Sequence, residues 1–396
     1  MKSEFFAANR QKLSGILDGC LAVLAASDLT QKTGDMANDF AQESNFWYLT
    51  GIEEAGWQLI MLGEKSWLVS PETDEVHRVF NGALSDEAAL RRSLVDEVID
   101  GAAAQDLLHT LAKDNTTVYT LGAHPNAKYF GFVENPALAR LRRRLKNTFT
   151  EVKDCRKPIA KLRAIKLPEE IDTLQRNIDH TCRAFELAKD KLGEMEYEYQ
   201  LEAIFWHDFR SHGLSHGYSP IVAAGINACT LHYGENNQPI KDGSLVLLDI
   251  GATSDGYSAD ITRTWSKGDP SARQRAIHSA VQAAHFEIID LLKPGCLMKD
   301  YLTEVDIIMK RALESVGLAN GGDDYRRYFP HAISHGLGVD VHDSLGGFEE
   351  FQPGMVLTVE PGIYVPEEGI GVRIEDDILI TSDGHRNMSA TLSTEL

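Results

Sequence analysis

Five residues in the C-terminal half of this 396-residue chain have the types and spacing of a metal site. Asp249 ends the apolar run 245–248, and Asp260 follows eleven residues later across the turn-rich stretch Ser254-Asp255-Gly256. Glu360 ends the strand-like run 355–359, and Glu375 follows fifteen residues later across Pro366-Glu367-Glu368-Gly369. His335 lies between the two segments. An odd separation around a central turn predicts two residues facing each other across an antiparallel pair, on one side of the sheet. Directly opposed like charges destabilise such a pair, and a buried charge demands a partner. Two acidic pairs on apolar strands therefore need a cation.

Any one of these acids, taken alone, reads as a surface or capping residue. As a set they do not, because each follows or interrupts an apolar strand, where a solvated residue is least expected. Four carboxylates and a neutral imidazole balance two divalent cations, whereas one would leave the site strongly anionic. Oxygen-rich ligands with one imidazole favour Mn²⁺, with Co²⁺, Fe²⁺ and Zn²⁺ open and thiolate-preferring metals disfavoured. Two such ions about 3.5–4 Å apart activate water and polarise a carbonyl, which is hydrolytic chemistry.

Residues 1 to about 160 must fold before this machinery. The short apolar runs 21–26, 59–62, 67–70 and 118–121 have the length of buried strands, with acidic helical stretches such as 85–95 between them. This pattern predicts a compact α/β domain with few convergent catalytic side chains. A basic segment, 153–166, then leads to Leu167-Pro168-Glu169-Glu170, a helix start with proline and acids in the first turn. Ile171, Leu174, Ile178 and Phe185 follow at helical spacing. The expected domains are therefore 1–160 and 161–396.

In the second domain one helix is expected over about 270–293, with Ile277, Val281, Ala284, Ile288 and Leu291 inward and a stop at Pro294-Gly295. The next carries Leu302, Val305, Ile308, Met309 and Leu313 and stops at Gly317. Each helix is expected to follow one hairpin-like strand region, giving an α+β layer with helices on one face of an antiparallel sheet. The two acidic hairpins hint at an old duplication.

The composition, 43% hydrophobic and 25% charged, is that of an ordinary globular protein. A formal net charge of −20 argues against nucleic acid and anionic membranes as partners, since phosphates need clustered Lys and Arg. No segment reaches the ~18 apolar residues of a membrane span. The five cysteines are scattered, with no CxxC pair, which fits a reducing cytoplasm.

The motif blocks carry a resemblance. Leu247-Leu248-Asp249-Ile250-Gly251, Tyr257-Ser258-Ala259-Asp260-Ile261-Thr262-Arg263-Thr264, His335-Gly336-Leu337-Gly338-Val339-Asp340-Val341-His342-Asp343, Thr358-Val359-Glu360-Pro361-Gly362 and Arg373-Ile374-Glu375-Asp376-Asp377 resemble the pita-bread metallopeptidases. Within these they are similar to the proline-specific branch, Xaa-Pro aminopeptidase and Xaa-Pro dipeptidase (prolidase). The likeness spans roughly 165–396, and Asn45-Phe46-Trp47-Tyr48-Leu49-Thr50-Gly51 extends it to a creatinase-like N-terminal domain.

The resemblance implies two metal ions, with Asp249 on one, Asp260 and Glu375 bridging, and His335 and Glu360 completing the second. It makes Glu360 the general base toward water and the proton carrier to the leaving nitrogen. It also singles out His232, His331 and His342, which in the family hold the scissile carbonyl and stabilise the oxyanion. Arg373 would orient Glu375, contact substrate or form a plain ion pair, and Tyr364 would assist the site or pack. The chain departs from the family pattern at Ala332, where glycine is usual, and a small local change is expected.

The implied substrates are peptides with proline in second position, and a homodimer is the expected assembly. The stretch 343–359 contains no Arg or Lys to grip a dipeptide's carboxylate, which tilts the reading from prolidase toward an aminopeptidase. Arg326 or Arg327 could serve instead. Two remoter readings are a metal-free creatinase-like amidinohydrolase and a catalytically dead binding module. The intact five-residue ligand set argues against both.

Overall fold

The short apolar runs of the first 160 residues become the strands of one mixed sheet. We describe residues 1–318 and 323–396 in a computed structural model, in which the chain divides into two compact units, Met1–Leu162 and Arg163–Leu396. In the first, six strands lie in the order Glu97–Ile99, Lys65–Val69, Gln58–Leu62, Ala22–Ala25, Thr117–Thr120 and Glu151–Asp154. The helix Asp86–Ser93 begins at Ser85, whose hydroxyl accepts from the Ala88 amide, as an N-cap should. The Asn45–Gly51 motif is a packing device. It forms the buried helix Ser44–Thr50, closed by Gly51 at φ 68°, where a Cβ would strike the Phe6 ring.

The basic segment becomes the end of that sheet and the helix Arg156–Ala164. The helix Pro168–Lys191 starts at its Pro-Glu-Glu signal, with the Glu170 carboxylate accepting from the Leu167 amide at 2.8 Å. It packs against Glu198–Ser211, and the first acidic hairpin follows. Ala272–Asp290 and Met298–Ser315 likewise pack on each other and precede the second. Helices thus come in consecutive pairs ahead of each hairpin, contrary to the expected single helix after each. The tight turn at Gly295, φ 78°, folds the second pair antiparallel so that each helix covers the other. Leu302, expected inside, is exposed. The inward face is Tyr301, Val305, Ile308, Met309, Ala312 and Leu313, and Leu302, near the start of the helix, falls outside it.

The registers of the two hairpins differ. In the second, Val359 pairs with Asp376 and Gly362 with Arg373, so Glu360 and Glu375 stand opposite each other, as expected. In the first, Asp249 pairs with Thr262, not with Asp260. The reason is the turn. Asp255 and Gly256 both have positive φ, 49° and 77°, the pattern of a two-residue hairpin turn. Ser254 therefore pairs with Tyr257, and the whole ladder follows. Asp260 lies two residues from Asp249's partner and, by strand alternation, on the same face.

An antiparallel bridge between Thr262 and Glu375 joins the hairpins. Buried Arg263 locks it, donating to the Thr262 carbonyl at 2.9 Å and the Glu375 carbonyl at 2.7 Å. Beneath lies the core of this unit, where Ile277, Val281, Ile288 and Met309 of the helices meet Leu357, Ile363, Val372 and Ile378. Each such fully buried side chain contributes roughly 1.5–3 kcal/mol, enough in sum to carry a buried acidic cluster. No helix among the described residues is long and apolar enough to cross a membrane.

Candidate metal centre

All nine residues singled out in the sequence line one cleft, together with Leu231. The strand Leu245–Ile250 carries Asp249 to its rim, and Asp260 stands just before Ile261–Ser266. Glu360 and Glu375 sit at the kinks between consecutive strands of the second hairpin. One ligand atom each from Asp249, Asp260 and Glu375 lies within 4.8 Å of the others, and the same holds for His335, Glu360 and Glu375. Two ligand groups therefore share Glu375. A third grouping joins Asp260, His335 and His342.

The donor set fits two divalent cations. His335 Nδ1 lies 3.0 Å from the Gly336 carbonyl, which takes the ring proton and leaves Nε2 facing the carboxylates. That Nε2 is 3.3 Å from Asp260, 3.6 Å from Glu360 and 4.0 Å from Glu375. Burial, reinforced by the neighbouring acids, raises Glu375 well above the carboxylate range. Burial also raises Asp249 against the pull of Arg373, and lifts Glu360 to about 7 despite His335 and Arg373. Burial pushes Asp260 the same way, but its hydrogen bond to His335 and that ring's charge outweigh burial and lower it. His335 correspondingly rises to about 9, with burial opposing and Asp260 prevailing. Protons here stand where cations would, because the protein supplies too little positive charge of its own.

Arg373 is buried and fully used. It donates to Asp249, to the Tyr364 hydroxyl at 2.9 Å and to the Thr262 hydroxyl at 3.1 Å, while Glu375 is 4.0 Å away. The carboxylate it grips is thus that of Asp249 rather than its strand neighbour Glu375. Both ring nitrogens of His331 are engaged, Nδ1 with the Ala332 carbonyl at 2.7 Å and Nε2 with Tyr364 at 2.8 Å. Burial, then the charge of Arg373, lowers His331 to about 3, so the ring is neutral. His232 and His342 are exposed on the cleft and oriented by neither interaction. Glu360 accepts no hydrogen bond among the described residues; the basic nitrogens nearest to it there are His331 Nδ1 at 3.5 Å and His335 Nε2 at 3.6 Å.

Sequence reasoning missed three contributors. The Tyr218 hydroxyl lies 2.6 Å from both Asp249 and Asp260, and nothing in spacing marks it. Its loop reaches the hairpin because Gly217 has no Cβ to strike the Ser258 side chain. The Thr262 hydroxyl donates to Glu375 at 2.7 Å, a contact implied by the true register. Asp377, fully buried, accepts from the Asp260 amide at 3.2 Å.

The family model of metallopeptidase family M24 matches residues 172–382, and that of the aminopeptidase P N-terminal domain matches 6–119. An Xaa-Pro aminopeptidase of Escherichia coli is 33% identical, over 99% of this chain and 95% of its own length. Human Xaa-Pro aminopeptidase 3 is 31% identical, over 99% and 84%. A structure described as a putative aminopeptidase P from Bacillus anthracis superposes with a TM-score of 0.89 at 31% identity, covering 100% of this chain and 96% of that one. Aminopeptidase P from E. coli does so at 0.87 and 31%, with the same coverage. An α+β pita-bread catalytic domain behind a smaller α/β domain is thus the architecture, and the chain belongs to metallopeptidase family M24, in its aminopeptidase P branch.

Proposed function

We propose that this chain is a dinuclear Xaa-Pro aminopeptidase that removes the N-terminal residue from peptides with proline in second position. The observation that carries the reading is the pair of ligand groups sharing Glu375, in a chain whose full-length relatives are named Xaa-Pro aminopeptidase. Asp249, Asp260, His335, Glu360 and Glu375 would hold two divalent cations. Mn²⁺ is favoured by the oxygen-rich set with one imidazole. When bound, the pair supplies an activated water and polarises the scissile carbonyl.

The protein's own groups do the rest. Glu360, which accepts no hydrogen bond among the described residues, takes the proton from the attacking water and delivers it to the leaving nitrogen. That delivery matters because proline nitrogen carries no hydrogen in the peptide. His232 and His342, exposed on the cleft, donate to the developing oxyanion. His331, tied to Tyr364, fixes the wall against which the substrate lies, and Arg373 holds Asp249 in place.

An Xaa-Pro dipeptidase is the second reading. It is disfavoured because 343–359 holds no Arg or Lys, while Arg326 and Arg327 already face Asp306 and Glu367. A homodimer is supported by exposed apolar side chains of the first unit, among them Val79, Phe80, Tyr129 and Val133. Five cysteines without a disulfide support a cytoplasmic site of action. The test is direct. Purified protein should carry two divalent ions per chain and cleave Xaa-Pro-Xaa but not Xaa-Ala-Xaa peptides. A metal-free protein unresponsive to added Mn²⁺ would return the chain to the amidinohydrolase or binding-module readings.

A further inference from the structure

The basic segment that ends at Lys166 takes no part in the proposed chemistry, yet it ends in a costly arrangement. The side chains of Lys166 and Asp343 are 1% and 3% exposed, and their Nζ and Oδ2 atoms lie 3.9 Å apart. Neither of these two atoms makes a hydrogen bond. Arg163, also buried, lies 3.1 Å from Asp343 Oδ1 and 2.5 Å from Asp340 Oδ2. Desolvation offsets most of the attraction in such a buried group, so net stability does not explain it.

Its place in the fold does. Asp343 directly follows His342, and its amide donates to the carbonyl of Gly336, the residue after His335, at 2.8 Å. A Cβ on Gly336 would lie 2.7 Å from the Asp343 carbonyl oxygen, and one on Gly338 would strike the Asp343 carboxylate. The two glycines of the His335 block therefore leave room for this aspartate. Asp343 Oδ1 also accepts from the Ser344 amide at 2.7 Å, and the Lys166 amide donates to Gly354 at 2.8 Å. The whole loop is folded around one carboxylate. His342 has no hydrogen bond of its own among the described residues and rests edge-on against His335, ring centroids 4.4 Å apart.

We propose that Asp343, held by Arg163 and Lys166, is a positioning residue that aims the His342 ring into the metal cleft. The proposal rests on the reading of His342 as an oxyanion donor. In D343N, which keeps the shape and removes the charge, kcat should fall about 10–100-fold, the usual scale for a supporting partner of a site. KM should change less than about threefold, and both metal ions should remain by elemental analysis. The decisive arm is a double-mutant cycle with H342A, itself expected to cost about 10²–10³ in kcat with metal retained. Because Asp343 acts through a ring already removed, D343N in the H342A background should cost less than about threefold further. Should D343N fail to fold, K166M, which keeps the aliphatic stem, carries the same cycle. Losses that multiply in full, metal lost in parallel, or unchanged activity in D343N would each overturn the proposal. A slow H342A with multiplicative D343N refutes this proposal alone. Wild-type activity in H342A refutes the reading of His342 beneath it, and this proposal with it.

Discussion

Asp249 and Asp260, on the first hairpin, sit among fixed donors, whereas Glu360 and Glu375, on the second, do not. Tyr218 reaches both aspartates at 2.6 Å, and Arg373 reaches Asp249. Glu375 receives one hydroxyl, from Thr262, and Glu360 receives none among the described residues. The charge state follows this division only in part, because burial raises Asp249 as well. Asp260 is held ionised, with burial opposing and His335 prevailing, while burial raises both glutamates. The first half of the centre is organised by the protein, and the second half depends on what binds. Glu360 would keep the freedom proposed for it as a general base, because no group among the described residues hydrogen-bonds its oxygens.

Removing the residue on which the halves converge should have the largest effect. Asp260 lies within ligand reach of Asp249 and Glu375 and also of His335. D260A is expected to lose activity below detection together with most bound metal, measured by elemental analysis and peptide hydrolysis on the same sample. Full activity with two ions retained would remove Asp260 from the site. Y218F tests the organised half alone. One hydroxyl proton serves two carboxylates, so its loss should weaken metal binding or turnover about 10–100-fold while the half-buried ring keeps its packing. An unchanged metal titration would mean that the hydroxyl only fills space.

Much of this centre was legible in the sequence, and the failures are instructive. Glu360 and Glu375 were placed opposite each other correctly because the strands on either side of their kinks keep one register. Asp249 and Asp260 were misplaced by two residues, because a two-residue turn at Asp255-Gly256 sets the ladder and the spacing of the acids does not reveal it. Leu302 is exposed although it is in helical register with buried Met309 and Leu313, because near the start of its helix the inward position is taken by Tyr301. Tyr218 and the Lys166–Asp343 pair were invisible for a different reason. Each contact joins residues far apart in the chain, and neither has a periodic pattern to mark it.

The dependent half should also show itself in stability. In metal-stripped protein burial lifts Glu360 to about 7 and raises Glu375 well above the carboxylate range, while Asp260 holds His335 up at about 9. A raised carboxyl is unpenalised below its unfolded pKa, loses stability as pH climbs from there to the folded value, and is fully penalised above it. The cost of Glu360 is thus nearly complete by about pH 7, and the loss at higher pH falls mainly to His335. A raised histidine contributes stability below its unfolded value, near 6.5, and loses it as pH passes the folded value. Both signs agree. Burial holds His278 and His285 down near 4, so their penalties begin below about 6.5, are complete only below about 4, and do not act at higher pH. Between pH 6.5 and 9 the stripped protein should therefore lose several degrees of Tm. The Mn²⁺-loaded protein should not, since metal affinity rises as ligands deprotonate. Parallel Tm curves for the two forms would show that the second half does not depend on the metal.

The smallest expected effect is the most informative about substrate. If the centre is organised around the scissile bond and nothing beyond proline is gripped, a peptide should neither gain nor lose by being longer. No Arg or Lys occurs in 343–359, and Arg326 and Arg327 are committed to Asp306 and Glu367. Lys166 and Arg163 are buried against Asp343, and Arg373 against Asp249. A dipeptide's terminal carboxylate would thus lie near four other carboxylates with no free cation from these residues, and in a tripeptide that charge moves one residue further away. Cleavage of Xaa-Pro-Xaa should therefore proceed at a kcat/KM at least comparable to that of Xaa-Pro, with the same first residue and Mn²⁺ present. That ratio reports differential transition-state binding, so it isolates the contribution of the terminal group. Rapid cleavage of the dipeptide with none of the tripeptide would mean that a cation or a wall beyond proline does read the chain end, and the enzyme would be a dipeptidase.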